Sequence, residues 1–169
     1  MTDSKSLRTK LIVASGILAL SMGVQAAPAG HGHHDAHSGH GNTGASSIVG
    51  RPGSAANVSR TVAIDMTDNM RYTPSQVRVK AGETIRFQVK NSGKIRHEFV
   101  LGSDADLQEH YQMMLQQPGM RHVEPNSVSL EPGKGGEVIW RFDNAGTVAF
   151  GCLEPGHYPA GMKGTVNVQ

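Results

Sequence analysis

The stretch Cys152-Leu153-Glu154-Pro155-Gly156-His157-Tyr158-Pro159-Ala160-Gly161-Met162 lies between two short apolar runs, Thr147 to Cys152 and Gly164 to Val168. A Pro- and Gly-rich segment flanked by period-two hydrophobicity reads as strand, loop, strand. On the N-terminal side the same alternation recurs. Val58 to Met66 places Val62, Ile64 and Met66 on one face, and Gln76 to Lys80, Thr84 to Lys90, His97 to Leu101, Ser127 to Leu130 and Gly136 to Phe142 follow. Ala81-Gly82 and Asn91-Ser92-Gly93 supply turns between them. About eight short strands spread over roughly 110 residues predict an all-β domain, a β-sandwich. One segment departs from this pattern. Asp104 to Gln117 carries Leu107, Tyr111, Met114 and Leu115 at helical spacing, with Asp104 and Asp106 early and Pro118-Gly119 as a stop, which predicts a short helical insertion near 104–117 with those four residues facing the core.

The 169 residues carry 16 Lys and Arg against 14 Asp and Glu, a net charge of +2. The basic surplus invites a nucleic-acid or membrane-surface reading, but it is concentrated at the start. Lys5, Arg8 and Lys10 precede the apolar run Leu11 to Leu20, and Gly23-Val24-Gln25-Ala26 follows, the pattern of a secretory signal peptide over residues 1–26. The apolar run is shorter than the ~20 residues a membrane-spanning helix needs. Cleavage after Ala26 leaves 13 basic and 13 acidic residues, so the mature chain is neutral and nucleic acid is not an expected partner. Residues 27–57 read as a disordered tail, since 22 of the 31 are Gly, Ala, His or Ser. The folded domain is expected from 58 to 169. Export also bears on the single cysteine, because proteins in oxidising compartments normally pair their thiols. Cys152 has no partner in the chain, so it is buried, paired between chains, catalytic or bound to a metal.

The loop itself favours the last of these. Cys152, His157 and Met162 form C-x4-H-x4-M, a thiolate, an imidazole and a thioether. That set suits copper, with sulfur favouring Cu(I) and imidazole serving both oxidation states. A fourth ligand must come from elsewhere, and His97, at the start of an apolar strand, is the natural candidate. Two His, one Cys and a weak axial Met make an electron-transfer copper site. A nucleophilic cysteine would need a base and an orienting partner, and beyond His157 no third polar group or oxyanion loop is evident. A structural zinc site would normally offer four Cys or His ligands.

With these motifs the sequence resembles the cupredoxins, the family of plastocyanin, azurin, rusticyanin and auracyanin, over residues 58–169. The matching pieces are Tyr72-Thr73-Pro74, the strand-turn-strand Val77-Arg78-Val79-Lys80-Ala81-Gly82-Glu83-Thr84, His97-Glu98-Phe99 and the C-x4-H-x4-M loop, whose length is nearer the rusticyanin and auracyanin branch than plastocyanin. The resemblance implies a Greek-key sandwich and one type 1 copper. His97, Cys152 and His157 would be equatorial ligands, both imidazoles binding through Nδ1, and Met162 the axial one. The chain lacks the repeated His clusters of multicopper oxidases and the second loop cysteine of binuclear copper centres, so catalysis is not expected. Glu98 stands where many members carry Asn or Ser, placing a carboxylate beside the first ligand in the chain.

Two functions share such a site: one-electron transfer between respiratory or photosynthetic partners, and copper handling. The tail run His31, His33, His34, His37 and His40 could bind additional Cu(II), since imidazole is largely deprotonated at neutral pH. His110 and Met113, three residues apart on the expected helix, could with Met120 and His122 form a second Cu(I) site; core-filling methionine is the competing reading. The leader, His-rich tail, His-Glu-Phe motif and loop together resemble the periplasmic copper-tolerance cupredoxins of the CopI type. That resemblance implies a periplasmic monomer that binds copper ions for copper tolerance, with a redox or copper-transfer protein as a further partner.

Overall fold

The structure, a computed structural model, describes residues 50–117, 119 and 124–169. The expected leader, the five tail histidines, Met120 and His122 lie outside the described residues. Among the described residues there are ten strands, one helix and one 3-10 turn (Ala55–Asn57): β1 Arg51–Pro52, β2 Arg60–Thr67, β3 Arg71–Thr73, β4 Gln76–Val79, β5 Thr84–Asn91, β6 His97–Gly102, α1 Asp104–Gln116, β7 Ser127–Leu130, β8 Gly135–Arg141, β9 Gly146–Gly151 and β10 Lys163–Val168. They make two five-stranded sheets, in the orders β1-β8-β5-β2-β3 and β4-β10-β9-β6-β7. β2 runs parallel to β5 and β10 parallel to β4, and every other pairing is antiparallel. The all-β sandwich read from the alternation is therefore present, built from mixed sheets.

Alternation explains which faces meet. Ile64 and Met66 of β2, Ile85, Phe87 and Val89 of β5, and Val138 and Trp140 of β8 turn inward from one sheet. Phe99, Leu101, Val148, Phe150, Val166 and Val168 do so from the other. The rings of Phe99 and Phe150 are 5.0 Å apart, and Tyr72 packs edge-on to Phe150, also at 5.0 Å. Each buried Phe of this set contributes about 1.5–3 kcal/mol of transfer free energy. Cys152 and Met162 belong to the same core.

Every residue of β6 is buried, because α1 covers the face turned away from the sandwich. Val100, Leu107, Met114, Leu153 and Tyr158 form a second small core there. Ser103 caps the helix: its hydroxyl accepts from the Asp106 amide while Asp106 accepts in return from the Ser103 backbone, satisfying two amides of the first turn. The helix stops before Pro118, whose ring disfavours helical backbone in the preceding residue. Its apolar stripe is narrower than the spacing predicts, since Leu107 and Met114 are buried, Tyr111 is half-buried and Leu115 is 44% exposed. One small sheet face takes one turn-to-turn row of side chains, leaving Leu115 outside it.

Two strands were not foreseen. β3 pairs with β2, and β1 pairs with β8 through Arg51↔Arg141 and Pro52↔Trp140. The Gly53 amide adds a hydrogen bond to the Ile139 carbonyl at 2.9 Å. Residues 51–53, assigned to the tail by composition, thus pair along the edge of the first sheet. Backbone pairing holds them, to which composition is blind, and an edge strand tolerates Pro52. Among the described residues no helix is long and apolar enough to cross a membrane.

Candidate metal centre

His97 is the first residue of β6, and Cys152 is the first residue after β9. The Gly151↔Lys163 pair of β9 and β10 closes the loop 152–162 at its base. Inside it the Cys152 amide donates to the Met162 carbonyl at 3.1 Å, and the Met162 amide donates to the His157 carbonyl at 3.1 Å. Gly161 makes the last bend with φ of +95°, a conformation in which a side chain would be strained. The loop is thus tied internally at each position that carries a candidate ligand.

These ties bring three of the four residues singled out in the sequence to one point. One ligand atom each from His97, Cys152 and His157 lies within 4.8 Å of the others, the one such His/Cys/Asp/Glu group among the described residues. That span is compatible with one shared first-row ion bound at about 2.0–2.3 Å. His157 Nδ1 is 3.2 Å from Cys152 Sγ, and the His97 and His157 rings are 5.0 Å apart. Met162 is fully buried in the core that includes Cys152. His97 and Cys152 are equally sealed, while His157 keeps partial exposure between the exposed Pro155, Gly156 and Pro159.

The electrostatics suit a cation. His97 Nδ1 is buried without a hydrogen-bond partner among the described residues, a costly arrangement unless something else occupies its lone pair. Burial pushes the Cys152 thiol up to about 12, against the Glu98 and Glu154 amides that favour the thiolate. The Glu98 amide donates to Sγ at 3.3 Å. Burial, then the neighbouring His97, holds His157 below the ordinary imidazole range. A bound cation reverses the thiol's preference outright. The donor set of one sulfur, two imidazole nitrogens and a nearby thioether therefore fits copper.

Glu98, next to His97 in the chain, faces away from the site. Strand alternation turns its side chain to the face opposite His97, where Oε1 accepts from Ser129 Oγ at 3.0 Å. Its carbonyl accepts from the Tyr72 hydroxyl. Of the suggested auxiliary residues, His110 is half-buried and Met113 is 51% exposed. Both line an open cavity of about 280 Å³ with Val100, Glu124, Asn126 and Ser127. Sequence reasoning missed three contributors. Arg96 Nε lies 2.6 Å from Glu154 Oε1, and Asp68 Oδ1 lies 3.0 Å from His97 Nε2. Asp68 sits in the turn after β2 among residues with no signal beyond turn composition. The Lys94 amide holds its carboxyl below the usual carboxylate range, His97 adding to the effect.

Residues 58–169 match the family of copper-binding proteins described as plastocyanin/azurin. The chain belongs to that family, and copper is its cofactor. Among individual relatives it is 43% identical over 166 residues to the copper-resistant cuproprotein CopI of Rubrivivax gelatinosus, covering 98% of this chain and 99% of the relative. It is 40% identical over 144 residues to the copper-resistant cuproprotein CopI of Pseudomonas aeruginosa, covering 68% and 79%. A solved structure of dithionite-reduced auracyanin from Roseiflexus castenholzii superposes with a TM-score of 0.57 at 25% identity, covering 66% of this chain and 98% of that one.

Proposed function

We propose that this protein binds copper for copper tolerance in the periplasm, exported by residues 1–26 and cleaved after Ala26. It is a monomeric binding protein rather than an enzyme. His97, Cys152, His157 and Met162 would hold the copper. The observation that carries the reading is the buried Nδ1 of His97, without a hydrogen-bond partner among the described residues, on a ring clustered with a buried thiol and a second imidazole. The likeness to two copper-resistant cuproproteins supports the tolerance role. When bound, copper supplies a one-electron couple between Cu(I) and Cu(II). The residues contribute a fixed frame: Cys152 gives up its proton, the Glu98 amide steadies the sulfur, and the closed loop excludes water. The tail histidines add weaker Cu(II) sites that concentrate the ion near the domain.

Deletion of the gene tests this. Cells lacking it should grow less well in excess copper, the wild-type gene should restore growth, and the Cys152→Ser gene should not. Restoration by Cys152→Ser would remove the copper site from the function. The partial exposure of His157 favours a second reading, one-electron transfer to a protein partner through that ring. Impaired respiration with unchanged copper sensitivity in the deletion strain would select it.

A further inference from the structure

We infer that Asp68 is a positioning residue for the metal centre: its carboxylate fixes His97 as the Nε2–H tautomer and so turns the Nδ1 lone pair toward Cys152. The inference rests on the copper reading above and concerns a residue outside the four ligands.

The geometry runs through two loop residues and the first residue of β6. Asp68 follows β2, and its two carboxylate oxygens accept the Lys94 amide at 3.0 and 2.8 Å. Those bonds tie it to the segment leading into β6. From there Oδ1 reaches His97 Nε2 at 3.0 Å. An ionised carboxylate can only accept, so the ring nitrogen facing it carries the proton. The other nitrogen, Nδ1, is then the lone-pair donor, and it is this atom that is buried without a partner among the described residues. A ligating imidazole whose far N–H is held by a carboxylate is oriented and made a stronger donor.

Gly93 makes the arrangement possible. A Cβ at that position would fall 2.0 Å from Asp68 Oδ1 and 3.1 Å from His97 Nε2. The space that a side chain would occupy is the space through which the carboxylate reaches the ring. Asp68 is 38% exposed at its side chain while His97 is fully buried, so the pair links a buried ligand to a charge at the surface. A negative charge on this side of the imidazole favours Cu(II) over Cu(I).

Three variants separate the contributions. Asp68→Asn keeps an acceptor and removes the charge, and Asp68→Ala removes both. Gly93→Ala keeps the charge and displaces it. In the metal-free protein, nitrogen NMR of the His97 ring should show the Nε2–H tautomer in the wild type and in Asp68→Asn. A tautomer mixture is expected in Asp68→Ala and Gly93→Ala. Cu(II) affinity, measured by chelator competition on protein verified as folded by circular dichroism, should fall about 10–100-fold in Asp68→Ala and Gly93→Ala. It should fall less in Asp68→Asn. The Cu(II)-over-Cu(I) preference should drop about tenfold in Asp68→Ala, equivalent to ~59 mV for a one-electron couple. An unchanged tautomer in Asp68→Ala, with Cu(II) affinity within about twofold of wild type, overturns the inference. Should Asp68→Ala fail to fold, the same unchanged pair of readings in Gly93→Ala overturns it. If the tautomer follows Asp68 and even the wild type fails to bind copper, the copper reading falls and the positioning role stands.

Discussion

Arg96 and Glu154 join the residue before His97 to the second residue after Cys152, with Nε and Oε1 2.6 Å apart and side chains only 19% and 12% exposed. The ion pair therefore clasps β6 to the loop from β9 and holds in register two strand ends that no covalent bond links. The hydrogen bond to Glu154 raises the Arg96 guanidinium above its ordinary range. Removing one partner of a largely buried pair strands the other charge and costs about 3 kcal/mol. Glu154→Leu should lower the denaturation midpoint of the metal-free protein accordingly, and the double variant Arg96→Met, Glu154→Leu should recover most of the loss. A single variant as stable as the wild type would mean that solvent already screens the pair.

Cys152→Ser should abolish the intense visible thiolate-to-copper absorption while leaving the far-ultraviolet circular dichroism of the sandwich unchanged. Serine nearly preserves the volume of this fully buried side chain. Survival of the band in the variant would place the chromophore elsewhere.

Copper uptake should release a proton. The thiol stands at about 12 in the metal-free protein, whereas His157 is already neutral at ordinary pH because its value is lowered. Copper takes the thiolate, so between about pH 7 and about pH 9 its apparent affinity should rise about tenfold per pH unit. Calorimetry in two buffers of different ionisation heat would count about one proton released. The same shift acts on stability with the opposite sense. Below the unfolded thiol's value of 9.0 the metal-free fold keeps the full benefit of a neutral Cys152, and it loses that benefit as the pH climbs toward about 12. Its melting temperature should fall across that window, and the Cys152→Ser protein should lack this component of the decline.

Tyr72→Phe removes the hydroxyl that donates to the Glu98 carbonyl. Losing that hydrogen bond inside the fold should cost about 1 kcal/mol. The Glu98 amide donates to Cys152 Sγ, so loosening this peptide should also shift the visible band of the copper-loaded protein. A stability loss with an unmoved band would confine Tyr72 to packing.

The sandwich was legible because most of its strands bury alternate residues, and alternation survives in the sequence whatever the partners are. The loop was legible for a different reason: Cys152, His157 and Met162 are rare residue types on one short segment, and His97 followed from the need for a fourth donor. What escaped was backbone or long-range. β1 has two residues and β3 three, too few to display a period. Arg96 and Glu154 are 58 positions apart, and Asp68 and His97 are 29, so neither pair leaves a local mark. Gly93 read as a turn residue, and only the folded chain shows that it clears a path for Asp68. Leu115 was misplaced because helical spacing names a face, while the width of that face depends on what it packs against.

The register of β10 sets a schedule for the centre. This strand lies between β9 and β4, running parallel to a segment made some ninety residues earlier, and its Lys163 pairs with Gly151 to shut the loop. Three of the four proposed ligands precede it by 11 positions or fewer. A chain still emerging from the ribosome therefore owns His97 and half a sandwich but no pocket, and it cannot trap a metal ion at this centre in passing. Acquisition waits for the whole domain, so the ion that enters is the one available where folding finishes.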